Sequence, residues 1–109
     1  MSVDEIRSFV REIGDRFHPE RVLLFGSYAR GDAGPDSDVD LLVVMDYQGT
    51  SADQALRIRR SLASPFPLDL IVRSPEEIER RVRLGDFFLR DVLREGKVLY
   101  EAANAGMGG

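Results

Sequence analysis

The chain has 109 residues, no cysteine, 15 basic and 19 acidic side chains, and a formal charge of −4. Those numbers describe one small domain with no disulfide, thiolate metal site or cysteine nucleophile. Its surface repels a phosphate backbone, so direct nucleic-acid binding is not expected. No signal segment or membrane-length apolar run is visible, which makes the cytoplasm the expected location and a membrane partner unexpected.

Residues 2–17 read as a helix. Val3, Ile6, Phe9, Val10, Ile13 and Phe17 form one apolar stripe at helical spacing. Ser2 and Glu5 match a capping box, and His18-Pro19 ends the segment. "RVLLF" (21–25) is a short apolar strand, "GSYARG" (26–31) a turn or single helical turn, and "DAGPDS" (32–37) a loop. Residues 38–45 form a second strand. Ser51 and Gln54 match a capping box for a helix over 52–63, and "SPFP" breaks it.

"LDLIV" (68–72) is the third strand. Ser74, Pro75 and Glu77 open a helix to about Leu84, with proline at the first helical position. Gly85 interrupts, Asp86 caps a last helix through Arg94, and Gly96 stops it. Apolar residues on several sides of that last helix point to cover by a partner. "KVLY" (97–100) is the final strand. Residues 1–101 thus form a single domain, and 102–109 a flexible tail. The order α-β-α-β-α-β-α-α-β describes an α+β fold, a sheet with helices packed on it.

Side chains alternate along a strand, so Asp38, Asp40, Leu42 and Val44 share one face, and Val39, Leu41, Val43 and Met45 the other. Carboxylates two residues apart, about 6.6 Å along the strand, repel unless they share a proton or a cation. Asp69 is the one charge in its strand, unfavourable there unless paired or bound to metal. If the third strand lies beside the second, the three aspartates meet. With no histidine or cysteine nearby, the donor set is all oxygen and suits Mg²⁺ or Mn²⁺. Read alone, an Asp-x-Asp pair or a single strand aspartate is more often an edge residue facing water.

Gly26 and Ser27 follow a strand and open a tight turn. A residue without Cβ lets a ligand approach the backbone, and the Ser27 hydroxyl with the following amides suits phosphate oxygens. Gly-Ser, ten residues, Asp-x-Asp, then a later strand aspartate is a far more specific pattern than any of its parts.

"GSYARGDAGPDSDVD" resembles the signature of the DNA polymerase beta-like nucleotidyltransferase superfamily. It is especially similar to the minimal, antitoxin-type nucleotidyltransferases, and the spacing agrees residue for residue from Gly26 to Asp40. The resemblance implies a mixed β-sheet flanked by helices. Gly26 and Ser27 would hold the triphosphate of a nucleotide, and Asp38 and Asp40 would bind two Mg²⁺ ions. Asp69 would complete the metal site and act as, or position, the base. The implied reaction moves a nucleoside monophosphate, AMP from ATP, to a hydroxyl. The implied partner is a HEPN-domain toxin, silenced by the transfer.

The nine elements leave no residues for an acceptor lobe, so an acceptor site borrowed from a partner or a homo-oligomer mate is expected. Rival readings are a non-catalytic antitoxin binding module and a transferase acting on a small molecule such as an aminoglycoside. Arg30 either steadies a phosphate or pairs with Asp32 or Asp38. Asp36 is read chiefly as a loop cap, with an outer-shell carboxylate as the alternative. Tyr28 and Tyr47 flank the motif as candidates for stacking on a base, Tyr28 more as turn packing. His18 is read as a surface residue. The arginines of 57–60 and 79–84 are read as solvated helix faces.

Overall fold

The computed structural model describes residues 3–102. Its elements are α1 (Val3–Phe17), β1 (Arg21–Phe25), α2 (Ser27–Arg30), β2 (Val39–Val44), α3 (Ser51–Ser61), β3 (Leu68–Arg73), α4 (Pro75–Arg83), α5 (Phe87–Glu95) and β4 (Lys97–Glu101). Number, type and order agree with the sequence reading. The Ser2 cap and all of the tail except Ala102 lie outside the described residues.

The four strands form one sheet in the order β3-β2-β1-β4. β1 pairs antiparallel with both β2 and β4, and β2 pairs parallel with β3. The sheet is therefore mixed. The parallel pair requires a crossover, and α3 provides it.

Alternation along β2 divides the apolar residues between two cores. Val39, Leu41 and Val43 meet Ile6, Phe9, Val10 and Ile13 of α1 and Ile58 of α3 on one face. Leu42 and Val44 meet Ile78 of α4 and Leu89 and Val92 of α5 on the other. The sheet is thus covered by two helices on each side. Val3, expected on the α1 stripe, is 51% exposed, because α1 begins beyond the sheet edge's apolar cover. No helix among the described residues is long and apolar enough to cross a membrane.

The caps are local and mostly follow the sequence. Ser74 accepts from the Glu77 amide while Glu77 accepts from the Ser74 amide, a complete capping box. Asp86 accepts from the Leu89 amide at 3.0 Å. The α3 cap is a correction: Thr50, not Ser51, accepts from the Asp53 amide at 3.1 Å. Thr50 has extended backbone, as a cap residue needs, and Ser51 is already helical.

Candidate active site

β1 ends where β2 and β3 begin, and this end of the sheet gathers the motif. Phe25 is opposite Asp40 in the antiparallel ladder. Asp40 is opposite Asp69 in the parallel one. Adjacent strands lie about 4.8 Å apart, so these two carboxylates start side by side on one face. Asp38 immediately precedes β2, two residues from Asp40 on the same pleat face. Its neighbour Val39 donates its amide to the Pro67 carbonyl at 2.9 Å, which holds the starts of β2 and β3 level.

Asp40 is half-buried, whereas Asp38 and Asp69 are exposed. Burial pushes the Asp40 carboxyl above its usual range, and the negative charges of Asp69 and Asp38 push it further. The Arg30 guanidinium opposes them. Asp40 therefore senses both neighbouring aspartates. β3 is an edge strand, which is why Asp69 reaches water although its neighbours Leu70 and Val72 are buried.

Gly26 has φ +74° and ψ −153°, a region L side chains rarely enter. A Cβ there would also overlap the Asp40 carboxylate. Glycine is required twice, by backbone angle and by the close approach of the aspartate. Ser27 starts α2, whose Ala29 and Arg30 amides both donate to the Gly26 carbonyl at 3.1 Å. The amides at the head of this turn come before the first intrahelical bonds. Gly31, with φ +84°, closes the turn by donating to the Ser27 carbonyl.

The loop from Asp32 to Asp38 is held by Ser37. Its hydroxyl accepts from the Gly34 amide at 2.8 Å, and its amide donates to the Gly34 carbonyl at 3.2 Å. Among the described residues this is the loop's side-chain cap, in place of Asp36. Arg30 pairs with Asp32, Nε to Oδ2 3.3 Å, both exposed; an exposed pair of this kind is readily opened.

Tyr47 is a correction. It follows the far end of β2, away from Asp40, and its hydroxyl donates to Glu77, so it fastens the β2–α3 loop to the head of α4. Tyr28 packs against the α1 core, as turn packing. Among the remaining arginines, Arg59 donates to the Leu68 carbonyl at 2.8 Å and Arg83 pairs with Glu79.

Two features near the motif escaped sequence reading. One is the edge-to-face contact of Phe25 with Phe88 of α5, centroids 5.6 Å apart. The other is the cavity beside it, lined by Gly26 and Arg30 on one side and α5 on the other. Only the α5 periodicity, apolar on several sides, carried a signal for either.

The donor set fits a hard divalent cation. Its atoms are carboxylate oxygens, and Asp40 carries an electrostatic burden that a cation would relieve. Among the described residues no group of three or more His, Cys, Asp or Glu side chains makes a preformed metal cage.

The profile of the nucleotidyltransferase domain family matches residues 3–99. The Methanocaldococcus jannaschii protein MJ0604, named provisionally as a protein adenylyltransferase, is 33% identical over 99 residues, covering 87% of this chain and 94% of its own. The bifunctional uridylyltransferase/uridylyl-removing enzyme of Rhodospirillum rubrum is 34% identical over 94 residues, covering 83% of this chain but 10% of that enzyme. Among solved structures, a toxin-antitoxin with AMP-PNP has a chain that superposes with a TM-score of 0.55 at 21% identity, over 95% of this chain and 77% of that one. This last likeness concerns the fold.

Proposed function

The chain belongs to the nucleotidyltransferase domain family, and from that premise we propose that it transfers AMP from ATP to a hydroxyl of a partner protein, a HEPN-type toxin, as the antitoxin of the pair. The observation that carries the reading is the register of Asp40 against Asp69 with Gly26 packed on the Asp40 carboxylate. Protein adenylyltransferase is the name of a full-length relative. A toxin-antitoxin pair with a nucleotide analogue shares the fold.

In this reading Gly26 and Ser27 hold the triphosphate through the turn's amides and the Ser27 hydroxyl. Asp38 and Asp40, completed by Asp69, would hold two Mg²⁺ ions, whose chemistry would be to neutralise charge on the phosphates. Asp69 is exposed and stands beside Asp40, so it takes the proton of the incoming hydroxyl. The new bond joins the acceptor oxygen to the α-phosphorus, and the bond to the β-phosphate oxygen breaks, releasing pyrophosphate. Arg30 leaves its exposed pair with Asp32 to meet phosphate.

The test is incubation of this chain with a HEPN-type protein from the same genome, Mg²⁺ and α-labelled ATP, read by mass spectrometry. The expected result is a mass increase of one AMP on a hydroxyl side chain. It should be absent in the Asp38→Asn, Asp40→Asn double variant. If the wild type binds and inhibits its partner with no mass increase, the chain acts as a binding module.

A further inference from the structure

The phosphate turn and the carboxylates contact no nucleobase, so on their own they cannot tell ATP from any other nucleoside triphosphate. The cavity between the end of β1, α2 and α5 supplies what they lack. It holds about 280 Å³, the small end of ligand-site volumes, enough for one ring system. Gly26 and Arg30 border it, so it begins where the phosphate turn ends. Phe25 is buried in the sheet core, while Phe88 is 48% exposed. The far side carries Asp91 and Glu95, one turn apart on α5.

We propose that this cavity receives the base of the donor nucleotide, with Phe88 against it and Asp91 and Glu95 selecting a base that turns an exocyclic amino group toward them over one that turns a keto group there. The inference rests on Gly26 and Ser27 as the phosphate holder. Ionised carboxylates only accept hydrogen bonds. They repel phosphate and keto oxygens and accept from an amino group. The triphosphate therefore stays at the turn and the base enters the cavity.

Asp91 and Glu95 both lie near Arg94, at 2.9 and 3.6 Å. These are surface pairs of small worth, so the carboxylates remain available to a base amino group.

The experiment measures calorimetric binding of ATP, ITP and tripolyphosphate to the full chain with Mg²⁺. ATP and ITP share a purine ring and differ along one edge, amino group and bare N1 in ATP against keto group and N1–H in ITP. Wild type should prefer ATP over ITP by roughly tenfold, and the Asp91→Asn, Glu95→Gln double variant should bring the two within about twofold. Phe88→Ala should weaken ATP by roughly tenfold through lost stacking and leave tripolyphosphate binding unchanged, which also shows that the variant is folded. Phe88→Tyr should retain ATP affinity.

Equal wild-type affinity for ATP and ITP would overturn the proposal. So would a Phe88→Ala variant that binds ATP normally but labels its partner poorly, since the cavity would then belong to the acceptor. If wild type binds neither ATP nor tripolyphosphate, the phosphate-holder reading falls as well, which separates the two failures.

Discussion

In the proposed function, Asp40 carries a conflict between stability and activity in one side chain. Its carboxyl is raised above the ordinary 3.8 by burial, then by Asp69 and Asp38. A raised carboxylate pKa means the fold disfavours the charged form, so the cost is absent well below pH 3.8 and fully present above the raised value. At neutral pH, Asp40→Asn should therefore raise the melting temperature of the metal-free protein by about 2–5 °C while removing transfer activity. Adding Mg²⁺ should raise the wild-type melting temperature and leave the variant's almost unmoved, both read by thermal unfolding. A lower melting temperature for Asp40→Asn would show that the carboxylate is instead well satisfied in the fold. Gly26 belongs to the same conflict, since its lack of a Cβ makes room for that carboxylate.

At the scale of elements, the strongest tie outside the site is the head of α4. Burial opposes charge on Glu77, but hydrogen bonds from Tyr47 and from the Ser74 amide and hydroxyl, with the Arg73 charge, outweigh it and hold its carboxyl below the usual 4.5. A depressed carboxylate contributes stability above the ordinary pKa and loses it as pH falls through the lowered one. Glu77→Gln should cost about 1–2 kcal/mol at pH 7. The gap to wild type should narrow as pH falls through the lowered value, as measured by urea unfolding at pH 7 and in acid. An equal gap at both would assign the loss to packing. α1 shows a different element-scale constraint. Gly14 is buried in mid-helix, where alanine has the better propensity, because the Tyr100 ring of β4 occupies the place of a Cβ. That contact spans 86 positions of chain, and nothing near Gly14 in sequence announces it.

On the scale of the whole molecule, one sheet serves two cores. β2 sends Leu41 and Val43 to α1 and α3, and Leu42 and Val44 to α4 and α5. Loss of either core exposes the same central strand, so both should melt together. Ile58→Ala and Leu89→Ala, each fully buried, should each cost about 2–5 kcal/mol. Each should keep a single urea transition with far-ultraviolet circular dichroism and tyrosine fluorescence coinciding. A split transition in Leu89→Ala would mean that α4 and α5 form a separable layer.

What the sequence determined by itself was local. The spacing from Gly26 to Asp40, the alternation that puts Asp38 and Asp40 on one face, the Ser74 and Asp86 caps and the stop at Gly96 all depend on residues within about a dozen positions. Backbone angles, strand pleat and orphan helix amides act at that range. Where the range was short but two hydroxyls competed, as at Thr50 and Ser51, the backbone angle chose between them. Only the tertiary structure decided that β3 lies beside β2, which makes Asp69, still on an edge strand, the neighbour of Asp40. It also tied Tyr47 to Glu77 of α4, and brought Phe88 to Phe25 to make a cavity beside the Gly26–Ser27 turn. Strand order and helix placement follow from burying two apolar faces of one sheet at once, a sum over the whole chain that no short stretch contains.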